Sequence, residues 1–117
     1  MKSIEIKAFV PAKNYELSKQ FYQDFGFTLA SDESGISYFH HDNCSFLLQD
    51  FYKTDHAENF MMHLLVEDVE PWWVHLQAIA RYSLRITSLQ DQPWKMRDFT
   101  IADPSGVCWR IGQNISG

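Results

Sequence analysis

The sequence predicts an α+β fold assembled from two βαβββ modules, and three observations point to it. Short runs with alternating apolar residues flank two segments whose apolar residues recur three to four apart, the signatures of strands and of helices lying on a sheet. A polar stretch, Asp50 to Asn59, splits the chain into halves with the same element order. The halves also superpose in pattern, with Lys7-Ala8-Phe9-Val10 on His63-Leu64-Leu65-Val66 and Asn43-Cys44-Ser45-Phe46-Leu47-Leu48 on Gly106-Val107-Cys108-Trp109-Arg110-Ile111. Asn43 and Gly106 then coincide, and both tolerate positive φ. Identity between the halves is weak, and an α+β sandwich without internal duplication is the competing arrangement. A chain of 117 residues can bury one sizeable core but not two independent ones. A single domain over 1–117 is therefore expected, with modules at about 1–52 and 58–117.

The elements follow in order. Ile4 to Val10 alternates and reads as a strand that Pro11 ends. Asn14 caps a helix whose stripe is Leu17, Phe21 and Phe25, and Gly26 suits the left-handed position after its last turn. Phe27–Ala30, Ile36–His40 and Cys44–Gln49 read as three short strands. In the second half, Phe60–Val66 is a strand, and Asp68 and Pro71 open a helix with Trp72 or Trp73, Leu76 and Ile79 or Ala80 on its apolar face. Leu84–Thr87, Asp98–Ala102 and Val107–Gly112 complete the repeat, the last two joined by the turn Asp103-Pro104-Ser105-Gly106.

Composition narrows the function. The chain has 45% hydrophobic and 21% charged residues, the balance of a globular protein. A net charge of −5 with no Lys/Arg run argues against nucleic acid as a partner, since phosphate contacts need a clustered basic face. No stretch has the length of a membrane span and the N-terminus lacks the apolar centre of a signal peptide, so a cytoplasmic protein without a membrane partner is expected. Cys44 and Cys108 are expected to be free, small apolar side chains. No nucleophile motif, phosphate loop or nucleotide fingerprint is present, and no catalytic residue is assigned. The aromatic content, 15% with four Trp and nine Phe, is high; most of those rings are expected in the core, and such a surplus is also what a pocket for a flat ligand uses.

Phe21-Tyr22 with Phe25-Gly26-Phe27 closes the first helix, and Pro93-Trp94-Lys95-Met96-Arg97-Asp98-Phe99 runs into Ala102-Asp103-Pro104-Ser105-Gly106. In this order and spacing the two pieces resemble the helix end and the hairpin of the glyoxalase / bleomycin resistance / dioxygenase (vicinal oxygen chelate) superfamily, in register over essentially the whole chain. The resemblance implies an incomplete eight-stranded barrel, or cup, commonly completed as a homodimer with ligand sites near the interface. In metal-dependent members, one residue from the first and one from the last strand of each module hold a divalent ion.

Carried over by that resemblance, the four metal positions fall on Lys7, Leu47, His63 and Arg110. Only His63 is a usable donor, and Lys or Arg brings a cation where the ion should be. No metal or other cofactor is therefore expected. His40 and His41 point to opposite faces of a strand, and His56 and His75 lack a chelating neighbour.

The remaining expectation is a metal-independent, bleomycin-resistance-like protein that sequesters an aromatic ligand in a groove drawn from Trp94, Arg97, His63, Arg110 and Lys7, with Phe39 and Phe46 as weaker members whose strand phase favours core packing. Trp94 either stacks on the ligand, with Arg97 and Asp98 beside it, or plugs a dimer interface. Trp109 is expected in the core. The chain's acidity suits a cationic ligand, while Lys7, His63 and Arg110 suit an anionic one unless acids such as Glu5 offset them, so the sign of the ligand stays open. The alternatives are a glyoxalase- or dioxygenase-type enzyme with a displaced metal site that includes His63, and a ligand-sensing partner of a regulator marked by an exposed Trp72 or Trp73.

Overall fold

The computed structural model describes residues 1–79 and 85–116. The order is β1 (Phe9–Pro11), α1 (Tyr15–Phe25), β2 (Thr28–Glu33), β3 (Ile36–His41), β4 (Cys44–Gln49), α2 (Thr54–Glu58), β5 (Met61–Leu65), α3 (Val69–Gln77), β6 (Gln90–Asp91), β7 (Met96–Ala102) and β8 (Cys108–Asn114). The strands form two mixed four-stranded sheets, ordered β1-β4-β3-β2 and β5-β8-β7-β6. In each, the module's first strand runs parallel to its last, and the others form an antiparallel meander. Among the described residues no strand pairing joins the two sheets, so they are not closed into a barrel. No described helix is long and apolar enough to cross a membrane.

Local chemistry sets the helix ends. The Asn14 side chain accepts from the Leu17 N–H at 3.1 Å, satisfying one of the free donors of the first turn. At the other end Gly26 has φ 130°, and the Phe27 N–H reaches back to the Tyr22 carbonyl at 3.0 Å. Phe27 then packs edge-on against Tyr22, the apolar contact that accompanies this type of helix stop. The buried face of α1 is Ser18, Phe21, Tyr22 and Phe25, whereas Leu17 is more than a third exposed.

Besides Leu17, five expectations change. The first strand is only three residues long. Its backbone hydrogen bonds to β4 begin no earlier than Ala8, and Ile4 and Ile6 lie in the open despite their alternation. The polar stretch between the modules contains the short helix α2. Of the strand expected over Leu84–Thr87, Leu84 lies outside the described residues, as does Ala80, and Ile86 makes a single bridge to Ile101; β6 holds the sheet edge instead. Positive φ falls on Asp42 rather than Asn43. The N-cap of α3, Asp68, makes no side-chain bond, and the Val69 N–H donates instead to Gln113 Oε1 at 2.8 Å.

Both sheets turn one face to a shared core. Phe21, Tyr22 and Phe25 of α1 meet Phe27, Phe39 and Phe46 from the first module and Phe99, Trp109 and Ile111 from the second. Trp109 lies 5.3 Å, centroid to centroid, from both Phe25 and Phe46, as its strand phase required. Each such ring, taken out of water, contributes about 1.5–3 kcal/mol.

A buried hydrogen-bond chain crosses this core. Trp109 Nε1 donates to the Tyr22 hydroxyl at 2.9 Å, and that hydroxyl donates to Asp103 Oδ2. The other Asp103 oxygen accepts the backbone N–H groups of Ser105 and Val107 at 2.8 and 2.9 Å, which closes the turn into β8. Thus Tyr22, from the first module's helix, is tied to the second module's last hairpin. Burial raises the Asp103 carboxyl to about 6 in spite of these donors. Burial and the adjacent Asp103 push the Tyr22 hydroxyl well above its usual value, so it remains a donor.

Candidate functional site

Among the described residues, no helix lies on the second face of either sheet. In the second sheet, alternation places His63 and Leu65 of β5, Arg110 and Gly112 of β8, and Asp98 and Thr100 of β7 on that face, opposite the buried Leu64, Ile111 and Phe99. His63 and Arg110 are direct cross-strand partners. Leu65 and Met61 are more than half exposed there, and Phe9 is nearly so on the first sheet.

Trp94 overhangs this face from the turn between β6 and β7. The Lys95 N–H bonds the Gln92 carbonyl at 3.1 Å and the Gln92 N–H bonds the Met96 carbonyl at 2.7 Å, with Lys95 at φ 64°. The C-terminal strand pins the turn through the Ile115 N–H to the Lys95 carbonyl, 3.0 Å. The Trp94 ring is 57% exposed, and the Arg110 guanidinium carbon lies 6.0 Å from its centroid, within cation–π range.

Beneath Arg110 lies a buried acid. Arg110 Nη1 is 2.9 Å from Asp98 Oδ1, and Gln92 Nε2 donates to the same oxygen at 3.0 Å. Asp98 is 1% exposed, and its Oδ2 has no hydrogen-bond partner among the described residues. Gly112 makes room for it. A Cβ at that position would stand 3.0 Å from Asp98 Cβ and 3.0 Å from the Met96 methyl, so any side chain would force Asp98 aside.

The predicted site residues separate in the structure. Trp94 and Arg110 come together, and His63 lies beside Arg110 in the sheet. Arg97 does not join them. It shares the phase of Phe99 and Ile101, points to the helix-bearing side and is bound by Asp91 at 2.6 and 3.3 Å, with Glu70 and Asp68 acting on it from beyond. Phe39 and Phe46 are core residues, 0% and 1% exposed and stacked at 5.4 Å, because their alternation puts them under α1. Lys7 precedes β1, where Glu5 holds it at 3.2 Å. Glu5 also accepts from Ser45 and from Tyr38, the latter at 2.7 Å, and these bonds, Ser45 first, lower its carboxyl to about 2. Strand pairing sets Phe9 opposite Leu47 as it sets His63 opposite Arg110, so Phe9 rather than Lys7 is the structural counterpart of His63.

The residues do not fit a metal ion. Phe9 and Leu47 offer no donor, Arg110 is a cation already paired with Asp98, and His63 stands alone as a ligand. Among the described residues no three His, Cys, Asp or Glu side chains are grouped to hold one. Trp72 and Trp73 are both half-buried, Trp72 against Phe25 and His41, Trp73 through its N–H to the Thr87 carbonyl at 3.1 Å, so neither forms the open patch that a regulator partner would mark.

Sequence reasoning gave Asp98 only a flanking role and missed Gln92 and Gly112 altogether. Alternation puts Asp98 on the same face of β7 as Thr100, and the pairing of Thr100 with Arg110 brings that face to the site.

The family model of the Glyoxalase/Bleomycin resistance protein/Dioxygenase superfamily matches residues 6–111. Among solved structures, the chain resembles a bleomycin-binding protein complexed with bleomycin, at 18% identity and a TM-score of 0.81 over 96% of this chain and 99% of that one. It also resembles TnmS3, an antibiotic binding protein from Streptomyces sp. CB03234, at 22% identity and a TM-score of 0.78, covering 97% and 99%. A lactoylglutathione lyase from Agrobacterium tumefaciens shares the fold at 15% identity and a TM-score of 0.73, covering 97% and 95%. No curated protein matches the sequence significantly. At these identities the likenesses establish fold.

Proposed function

The chain belongs to the Glyoxalase/Bleomycin resistance protein/Dioxygenase superfamily, and within it we propose a cytoplasmic protein that binds a flat aromatic small molecule, antibiotic-like in character, without metal and without chemistry. The observation that carries this reading is Trp94, a large ring more than half exposed on a turn fixed from three sides, with a cation beneath it. A tryptophan serving only the core would be covered as Trp109 is. The likeness to two proteins named for antibiotic binding adds weight.

The cations of the site are already matched. Glu5 offsets Lys7 and Asp98 offsets Arg110, so the groove does not call for an anion. The metal-dependent alternative loses its basis in the donor set, although a lyase shares the fold. A homodimer is part of the proposal. Phe9, Met61 and Leu65 expose apolar surface on the helix-free faces, and a second copy would cover it and close the groove beside Trp94.

The test is isothermal titration calorimetry of bleomycin and a set of flat aromatic antibiotics, a readout that does not depend on the ring being removed, against the wild-type chain and Trp94→Ala. Central stacking predicts a loss of about 1–3 kcal/mol, roughly 5- to 150-fold in affinity. Equal affinity of the two proteins would remove Trp94 from the groove. Analytical ultracentrifugation of the same samples tests the dimer.

A further inference from the structure

The Arg110–Asp98 pair is unusually incomplete. A guanidinium can present two parallel N–H groups to a carboxylate, and such two-point pairs are the favoured geometry. Here one Arg110 nitrogen meets Oδ1, Gln92 meets the same oxygen, and Oδ2 is left buried without a partner among the described residues. Buried carboxylate oxygens are rarely left in this state, and one that is has unspent capacity to accept. Above the pair, Arg110 stands at the outer limit of contact with the Trp94 face, 6.0 Å from the centroid. Its side chain is 28% exposed and ends a flexible stem, while Asp98 is fixed in the sheet beside Gly112. Besides Asp98, a Cβ at Gly112 would meet the methyl end of Met96, a flexible side chain.

We propose that Arg110 is a resident stand-in for a ligand cation. Its guanidinium occupies, imperfectly, a slot between the Trp94 face and the Asp98 carboxylate that is built for a planar cation such as an amidinium or guanidinium. A ligand carrying that group displaces Arg110 toward solvent, engages both Asp98 oxygens and stacks on Trp94. This rests on the binding-protein reading above and sharpens it by assigning the charge of the group held at this end of the groove. Asp98, not Arg110, becomes the recognition residue.

Three isosteric probes of opposite charge test it: benzamidinium, neutral benzamide and anionic benzoate, titrated into wild type, Arg110→Ala and Asp98→Asn with Trp94 fluorescence as readout. The expected result is that wild type prefers benzamidinium to benzamide, that Arg110→Ala binds benzamidinium at least 10-fold more tightly than wild type, and that Asp98→Asn abolishes the preference. Should Asp98→Asn fail to fold, the thermal shift of Arg110→Ala decides, since benzamidinium should raise its melting temperature more than benzamide does. Benzoate bound by wild type and lost in Arg110→Ala would make Arg110 an anion clamp and overturn the proposal. Equal binding of all three probes through Trp94 would also overturn it while leaving the aromatic-binding function intact. Loss of bleomycin binding and of every probe's effect on Trp94 would remove both.

Discussion

Replacing Tyr22 with phenylalanine deletes one oxygen atom from the middle of the chain Trp109–Tyr22–Asp103, all three members of which are buried. The ring still fills its place among Phe25, Phe39 and Phe46, so the packing contribution is retained. What goes is the hydrogen bond to a carboxylate, about 1.5–3 kcal/mol, and with it the acceptor for the Trp109 N–H, a buried donor whose desolvation costs about 1–3 kcal/mol. Because the ring and its neighbours relax, a total of about 3 kcal/mol is expected, or some 12 °C in melting temperature for a chain of this length. The loss should depend on pH. Asp103 titrates near 6 when folded against 3.8 when free. Its stabilising contribution is therefore complete below pH 4 and declines as pH rises through 6, by up to about 3 kcal/mol. The Tyr22 hydrogen bond lowers the Asp103 value, so removing it raises that value further and enlarges the decline. Urea unfolding of Tyr22→Phe at pH 5 and pH 8 should show the larger destabilisation at pH 8. A loss below 0.5 kcal/mol, or one equal at both pH values, would refute this account of the buried chain.

Gly112→Ala should destabilise by about 1–3 kcal/mol by thermal unfolding and weaken aromatic ligands, because the added methyl group meets Asp98 Cβ at 3.0 Å. Arg97→Ala should leave ligand affinity within twofold and cost less than about 1 kcal/mol, since its partner Asp91 is a surface acid on the other side of the sheet; titration calorimetry with the ligand found for wild type checks it. Phe46→Ala should cost about 3–5 kcal/mol in denaturant unfolding, without a matching loss of affinity for whatever fraction remains folded, as befits a core ring.

The sequence carried the fold better than the site. The two motifs that suggested the family, the helix end at Phe21–Phe27 and the turn at Asp103–Gly106, prove to be joined through Tyr22 and Asp103. Nothing local could show that contact, because local rules end at a few residues and these lie 81 apart. The placement of Lys7 illustrates a different limit. Sliding one strand against another by two residues keeps every side chain on its own face, so pattern matching cannot distinguish Lys7 from Phe9 as the partner position of Leu47; only pairing can. Arg97 was grouped with Trp94 by nearness in sequence, yet the buried Phe99 and Ile101 already fixed its phase toward the helices and left Asp98 to face Arg110. The short reach of β1, an edge strand, is likewise not revealed by the alternation of Ile4 and Ile6, which both stay exposed.

The distances along the chain between bonded groups also bear on how the molecule assembles. The meanders β2-β3-β4 and β6-β7-β8 join neighbours in sequence and can zip early. The parallel edges and the Trp109–Tyr22–Asp103 chain, with separations of 81 and 87 residues, require large loops to close first. Two independently nucleated halves would thus dock as their last event, with Tyr22 as the bolt between them. A bolt that engages after the rate-limiting barrier slows opening far more than it hastens closing, so Tyr22 governs how long the folded protein lasts rather than how quickly it forms.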